Sequence, residues 1–212
     1  MAQALYDYII PVDRIGSPNI ENLVRLNRLD LRFAFTKIAL WRQQHFRKIV
    51  YIDADVVALR APDELFELPH NFAAAPDVGW PDCFNSGVML LTPSIGEYNS
   101  MQTMATSGTS FDGADQGLLN EYYHHRSWHR LSFAYNCTPS ASYQYEPAYR
   151  HFKNSLSLVH FIGKDKPWQQ PRLAAPQQSG VYGELLSRWW GVYDRHYTSQ
   201  VSHEDLKISA LY

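Results

Sequence analysis

The stretch that decides the fold is RKIVYIDADVV, residues 47–57. Its apolar part, residues 49–52, shows no alternation with polar residues, which is typical of a strand covered on both faces. Asp53 and Asp55 follow directly, although carboxylates are costly to bury unpaired. Side chains two residues apart in an extended segment point the same way, and ligands of open α/β sheets bind beyond the carboxyl ends of the strands. The stretch therefore predicts a pair of oxygen ligands suited to Mg²⁺ or Mn²⁺ at a strand end.

Three interpretations of this carboxylate pair stay open from the stretch alone. The first is a polar turn that closes a strand. The second is the metal site of a nucleotide-sugar transferase. The third is a phosphatase of the haloacid-dehalogenase type, in which an Asp after an apolar strand attacks phosphate.

Strand-like and helix-like segments alternate along the rest of the chain. Hydrophobic patterning predicts strands at residues 6–12, 72–75, 88–91, 131–135 and 157–160, and helices near residues 31–46, 62–66, 95–104 and 185–193. Such alternation predicts an α/β sandwich with a mainly parallel sheet. We expect one domain over residues 1–200 and a loosely held tail over residues 201–212.

Composition excludes several classes of protein. The 212 residues suffice for a domain with a full core, and a formal charge of -2 indicates no nucleic-acid partner. No apolar run is long enough to cross a membrane, and the first three residues do not open a signal peptide. Cys83 and Cys137 lie far apart without metal-ligand spacing, which favours reduced thiols in a cytoplasmic protein.

Two further motifs carry polar groups of the kind that hold sugars. Asn85-Ser86-Gly87 precedes a predicted strand, where it forms either a plain turn or a pair of groups that orient a sugar hydroxyl. Asp115 and Gln116 place a carboxylate beside an amide, which suits a polyhydroxylated ligand or an anomeric centre. Asp112, taken alone, is more typical of a helix cap.

The segment after the last predicted strand offers a second set of candidates. His160 stands at the strand end, either as a structural histidine or as a further metal ligand. Gly163 allows close backbone approach, and the lysines that follow, such as Lys166, suit phosphate charge. Lys37 lies outside the apolar stripe of its predicted helix, and Tyr143 lies in a polar, loop-like run, so neither is functional on its pattern alone.

Taken together, these motifs resemble the glycogenin family of retaining glycosyltransferases. The resemblance covers about residues 6–197 and rests on four blocks in the family's order, namely YIDAD (51–55), AAPDVGWPDCFNSGV (74–88), FDGADQGLLN (111–120) and HFIGKDKPW (160–168). The phosphatase interpretation requires a later lysine and an acidic motif in a different order, and the sequence offers no convincing match for them.

The resemblance implies a GT-A type, Rossmann-like fold that uses UDP-glucose as donor. It implies Mn²⁺, with Mg²⁺ as the other candidate, bound by Asp53, Asp55 and His160. Positions that contact the nucleotide, its diphosphate or the rest of the donor match Arg28, Lys37, Ala54, Ser86, Gly163 and Lys166. Positions around the glucose match Asn85, Asp112, Asp115 and Gln116. Asp115 and Lys37 are the implied catalytic groups, and Tyr143 is the implied self-glucosylated tyrosine.

The resemblance also sets expectations for partners and extent. It implies transfer to the chain's own tyrosine and then to a growing α-glucan, in a cytoplasmic homodimer, with glycogen synthase as a further partner. Family members carry a βαβ unit before the segment that matches residue 1, so we expect the chain to be incomplete at its N-terminus. Two alternatives follow, namely a related hexosyltransferase with another acceptor and a truncated, non-catalytic remnant of the fold.

Overall fold

A computed structural model describes residues 6–139, 145–163, 166–170 and 180–197. The described residues fall into two compact units, one within residues 1–51 and 64–130 and the other within residues 52–63 and 131–212. Each unit is described by itself below. Within the described ranges, no helix has the length and apolar character needed to cross a membrane.

Strands and helices alternate along the described residues, as the sequence predicts. The strands are β1 Ile49–Ile52, β2 Val56–Ala58, β3 Phe72–Pro76, β4 Phe84–Leu91, β5 His129–Arg130 and β6 Leu158–His160. The α-helices are α1 Ile20–Arg25, α2 Ile95–Ser107, α3 Asp115–Tyr123, α4 Glu146–Phe152 and α5 Gly180–Tyr197. Turns of 3₁₀-helix cover Leu29–Arg42, Asp63–Glu67, Phe133–Tyr135, Lys153–Ser155 and Pro167–Gln169.

The first unit is organised around a four-stranded sheet with the order β1-β4-β3-β5. β3 runs parallel to β5, and the connection between them contains α2 and α3. β3 runs antiparallel to β4, with Ala73 opposite Leu90 and Ala74 opposite Met89. The chain between β3 and β4 is too short for a crossover, so it closes as a hairpin. The α/β class is thus confirmed, and the sheet is mixed.

The core of this unit lies around β4, whose eight residues are all buried. Trp41 packs its ring against Phe72, and Phe72 stacks on Tyr123 with ring centroids 3.9 Å apart. α2 covers the core and has a conventional start and end, because Ser94 accepts a hydrogen bond from the Glu97 amide and Gly108 takes a left-handed φ of 75°.

The second unit contains a two-stranded sheet in which β2 and β6 run antiparallel. Its register places Val56 opposite His160 and Val57 opposite Val159. Val57 and Val159 pack with Val181 and Leu185, so α5 covers one face of this sheet. This pairing places residues 53–55, which follow β1, beside the end of β6.

Several predicted elements differ from those observed. Residues 6–12 form no strand, and residues 131–135 contain a 3₁₀ turn where a strand was expected. The predicted helix of residues 31–46 has 3₁₀ geometry over Leu29–Arg42, with non-helical backbone angles at Phe33. Asn85, Ser86 and Gly87 lie within β4, so the prediction of a turn before a strand is wrong. The pattern of apolar residues indicates which segments are buried. A short polar segment can still continue a strand when its side chains form hydrogen bonds.

Candidate active site

The ends of β1 and β6 bring Asp53, Asp55 and His160 together. Because Val56 pairs with His160 and the Phe161 amide donates to the Asp55 carbonyl at 3.0 Å, the two segments lie side by side at this point. One potential ligand atom from each of the three side chains lies within 4.8 Å of the others. Asp53 and Asp55 are half-buried and His160 is buried.

Charge and hydrogen bonding at Asp55 favour the ionised carboxylate. Its Oδ1 lies 3.1 Å from His160 Nε2, and its Oδ2 lies 2.6 Å from Lys166 Nζ. Burial alone would raise the pKa of Asp55, but hydrogen bonds and positive charge from His160 and Lys166 outweigh it and hold that pKa well below its ordinary value. A metal ligand must be deprotonated, so this environment suits metal binding.

Asn136 fixes the orientation of His160. The Asn136 Oδ1 atom lies 3.0 Å from His160 Nδ1, and both side chains are buried. An amide oxygen accepts hydrogen bonds, so Nδ1 donates and Nε2 faces the carboxylates. Such an outer partner is the usual support of a metal-binding histidine. Two carboxylates and an imidazole held in this way fit a divalent metal ion. Sequence reasoning missed Asn136, since a lone Asn far along the chain carries no signal.

Lys166, Gly163 and Ala54 are the other predicted donor-binding residues of this unit, and their contacts with a donor stay predictions. Lys166 Nζ contacts Asp55 and also donates to the Phe161 carbonyl at 2.7 Å. A Cβ added to Gly163 would meet no described atom within 4 Å, so a ligand could approach that backbone closely. Ala54 is exposed between the two aspartates.

A second polar cluster lies in the first unit, around Asp115 at the start of α3. Lys37 Nζ lies 2.5 Å from Asp115 Oδ2, and each of these side chains is only 9% exposed. Ser86 donates its hydroxyl to the same Asp115 oxygen at 2.7 Å, and Lys37 donates to the Ser86 carbonyl. Lys37 also lies 4.9 Å from the ring centroid of Tyr51. Lys37 is therefore part of a buried ion pair, which excludes the interpretation as an ordinary surface lysine.

Gln116 joins this cluster to Asn85 and Asp77. Its Oε1 accepts from Asn85 Nδ2 at 3.1 Å and from the Ser86 amide at 3.4 Å. Its Nε2 donates to Asp77 Oδ2 at 3.1 Å. The carboxylate thus fixes which way the Gln116 amide faces. Asp77 was absent from the predicted set; its place within the block that resembles the family was the available signal.

The Asp112 side chain is engaged as a helix cap. Its Oδ1 accepts from the Ala114 and Gly117 amides at 2.8 and 3.0 Å. Burial raises its pKa, against the effect of these hydrogen bonds. A Cβ at Gly117 would come within 2.1 Å of Asp112 Oδ1, so the cap requires this glycine. The capping interpretation of Asp112 is confirmed, and a contact with sugar stays a prediction.

One predicted residue lies apart from both clusters, and another lies outside the described residues. Arg28 pairs with Asp30 at the surface, with Nη2 3.0 Å from Oδ2. Tyr143 lies outside the described residues. The structure thus brings the metal candidates together in one unit and the sugar candidates together in the other.

Solved structures with this fold are glycosyltransferases. The glycosyltransferase GlyE of Streptococcus pneumoniae superposes with a TM-score of 0.57 at 21% identity, over 82% of this chain and 49% of that one. The galactosyltransferase LgtC, solved with donor and acceptor sugar analogs, gives a TM-score of 0.51 at 19% identity, over 82% and 73% of the two chains. The fold is therefore that of a GT-A type glycosyltransferase.

Sequence comparison narrows this class to one family. The profile described as Glycosyl transferase family 8 matches residues 19–171, and the chain belongs to that family. It is 61% identical to glycogenin of Neurospora crassa over 195 residues, which cover 92% of this chain and 28% of that protein. It is 40% identical to glycogenin-1 of Caenorhabditis elegans and 38% identical to human glycogenin-2, over 90% and 91% of this chain. The chain spans 44% and 41% of those two relatives. It thus spans less than half the length of each.

Proposed function

We propose that this protein is a retaining glucosyltransferase that moves glucose from UDP-glucose to its own Tyr143 and then to the growing α-glucan, which primes glycogen synthesis. The observation that carries the proposal is the convergence of Asp53, Asp55 and His160 in a chain with glycogenin relatives. A convergent carboxylate pair with an oriented histidine suits the metal-diphosphate end of a nucleotide sugar.

The diphosphate end of the donor is assigned to the cluster around Asp55. Asp53, Asp55 and His160 would hold Mn²⁺, with Mg²⁺ as the alternative ion, and Asn136 would keep His160 Nε2 facing it. The bound ion would neutralise the charge that grows on the departing diphosphate. Lys166, already against Asp55, would donate to a phosphate oxygen, and Gly163 would let the phosphates approach the backbone. Arg28 and Ala54 complete the proposed donor contacts on resemblance alone.

The sugar end is assigned to the cluster around Asp115. Asn85, Ser86 and Gln116 offer amide and hydroxyl groups in fixed orientations, which suits recognition of sugar hydroxyls. Asp115 is the proposed catalytic carboxylate beside the anomeric carbon, either as a nucleophile or as the stabiliser of positive charge there. Lys37 would hold that carboxylate in position through their 2.5 Å contact. Asp112, in the loop that leads into α3, would contact the glucose on resemblance alone.

The acceptor is the least constrained part of the proposal. Tyr143 is the proposed attachment site because it occupies the position of the family's glucosylated tyrosine. A phenol has a pKa of about 10, so modest help from a base makes it nucleophilic. A homodimer, a contact with glycogen synthase and a cytoplasmic location belong to the same proposal.

Intact-mass analysis after incubation with UDP-glucose and Mn²⁺ tests the proposal. We expect the mass to rise in steps of one hexose, to need the divalent ion, and to stay constant in Tyr143→Phe. Tyr145→Phe is the matched control, two residues away, and should glucosylate normally. Release of free glucose without a mass increase would favour a hexosyltransferase with another acceptor. No turnover of UDP-glucose would contradict the proposal.

A further inference from the structure

Trp80 is an exposed tryptophan on the loop between β3 and β4. Its residue is 79% exposed, and its neighbour Val78 is 66% exposed. Tryptophan is enriched at binding surfaces relative to the rest of the protein surface. Tryptophan is favoured at such places because it offers a large rigid contact area and loses little conformational entropy on binding.

The backbone around Trp80 is held firmly although its ring is exposed. Asp77 Oδ1 accepts from the Gly79 and Trp80 amides at 2.9 and 3.0 Å. The Cys83 amide donates to the Trp80 carbonyl at 2.9 Å, and the Asp77 amide donates to the Cys83 carbonyl at 2.9 Å. Pro81 further restricts the backbone of the residue before it. The indole is thus presented from a preformed loop, which lowers the entropic cost of binding.

The same loop is hydrogen-bonded to the polar cluster around Asp115. Asp77 uses its Oδ1 for the loop and its Oδ2 for Gln116 Nε2, at 3.1 Å. One carboxylate therefore sets both the position of the Trp80 backbone and the orientation of the Gln116 amide. The acceptor must lie next to the donor sugar for transfer to occur. A surface that is hydrogen-bonded to the groups proposed to bind that sugar is therefore a suitable place for the acceptor.

We propose that the Trp80 indole is a stacking platform for a glucose ring of the acceptor glucan, and that Asp77 positions it. The proposal rests on the proposed glucosyl transfer and adds the surface that selects the acceptor. A pyranose presents C–H groups on its face and hydroxyls on its rim, so an exposed indole beside polar backbone complements both. A flat protein surface would instead need further apolar area around the tryptophan to reach a stable interface.

The test compares Trp80→Ala, Trp80→Phe and the control Val24→Ala, an exposed site on α1, using maltooligosaccharides as acceptors. Trp80→Ala should raise the KM for maltooligosaccharide roughly tenfold, the size expected for a lost stacking contact. The KM for UDP-glucose should change less than about twofold. Trp80→Phe keeps a ring and should recover most of the affinity, and Val24→Ala should match the unmodified protein. A general folding defect would lower the apparent kcat and leave both KM values unchanged, because the molecules that remain folded bind normally.

A second measurement separates this inference from the proposed function. Direct calorimetry of maltooligosaccharide binding, without UDP-glucose, should give binding that Trp80→Ala weakens by the same factor. Trp80-dependent binding in a chain that transfers no glucose would support the platform while contradicting the transferase. An unchanged acceptor KM and unchanged binding in Trp80→Ala would overturn the platform, and loss only of a protein partner's binding in that variant would assign the surface to protein instead.

Discussion

The clusters around Asp55 and Asp115 are both acidic and both supported by a lysine, but their charges are balanced differently. Asp53 and Asp55 bring two carboxylates to one point against Lys166 and His160. Asp115 is matched by Lys37 at 2.5 Å and by the Ser86 hydroxyl, in nearly dry surroundings. The first cluster offers carboxylate oxygens and an imidazole nitrogen that could hold a metal ion, whereas the Asp115 carboxylate is paired within the protein.

This difference predicts that the two clusters fail in different ways. Removal of a side chain from the cluster around Asp55 should abolish a metal-dependent activity while the chain stays folded. Removal of a side chain from the cluster around Asp115 should leave a buried charge unpaired and lower the free energy of unfolding. The predictions below use that contrast.

Asp55→Ala should have the largest effect on activity. We expect metal-dependent turnover of UDP-glucose to fall about 1000-fold, because the charge on the leaving diphosphate loses its preorganised stabilisation. Asp63→Ala is the control, an exposed aspartate of the same unit, and should retain normal rates. Thermal melting should show both variants folded. Full Mn²⁺-dependent turnover in Asp55→Ala would be incompatible with its role as a ligand.

Lys37→Met should have the largest effect on stability. It leaves Asp115 buried without its counter-ion, which costs about 3–5 kcal/mol of unfolding free energy, measured by urea denaturation. The double variant Lys37→Met with Asp115→Leu should recover most of that loss, since no lone charge remains. Arg25→Met removes an exposed pair with Glu21 and should cost less than about 0.5 kcal/mol. Equal costs for the single and double variants would contradict the buried-pair account.

Asn136→Ala tests whether Asn136 orients His160 for metal binding. Without its acceptor the His160 ring loses its fixed orientation, so Mn²⁺ affinity measured by calorimetry should fall about 10- to 100-fold. Asn136→Asp keeps an acceptor oxygen and should bind Mn²⁺ within a fewfold of the unmodified protein. Asn154→Ala, at an exposed site of the same unit, serves as the control. If Asn136→Ala kept full affinity, Asn136 would have no orienting role.

The pH dependence of stability gives the smallest of these effects. The pKa of Asp55 is lowered in the folded chain, so the ionised carboxylate stabilises the fold above its unfolded pKa of about 3.9. That contribution is lost as the pH falls through the folded value. The difference in unfolding free energy between the unmodified protein and Asp55→Asn, measured with chelator present, should stay constant above about pH 5 and shrink below about pH 4. A difference that grew as the pH fell would have the wrong sign.

The parts of the site that could be predicted from sequence are those signalled by neighbours in the chain. Asp53 and Asp55 follow an apolar run, and Asp115 and Gln116 open a helix, so their local context indicated their chemistry. The shared metal site of Asp53, Asp55 and His160 was implied by the family resemblance, and in the structure the antiparallel pairing of β2 with β6 brings these residues together.

The parts that could not be predicted depend on pairing between distant residues. Asn136 and Asp77 act through hydrogen bonds to His160 and Gln116, and their neighbours in the chain do not indicate those partners, although Asp77 lies within a block that resembles the family. Asn85 and Ser86 looked like a turn because asparagine, serine and glycine favour turns, yet Gln116 and Asp115 satisfy their side chains inside β4. Long-range contacts thus overrode local preference at these positions.

The most direct test of the contrast between the clusters is thermal melting with and without Mn²⁺. At a Mn²⁺ concentration about 100 times the dissociation constant, selective binding to the folded chain adds about 2.7 kcal/mol of stability. The account predicts a clear rise in melting temperature for the unmodified protein, the same rise for Lys37→Met from its lower starting point, and none for Asp55→Ala. An equal rise in Asp55→Ala would show that the ion binds elsewhere and would contradict the central claim.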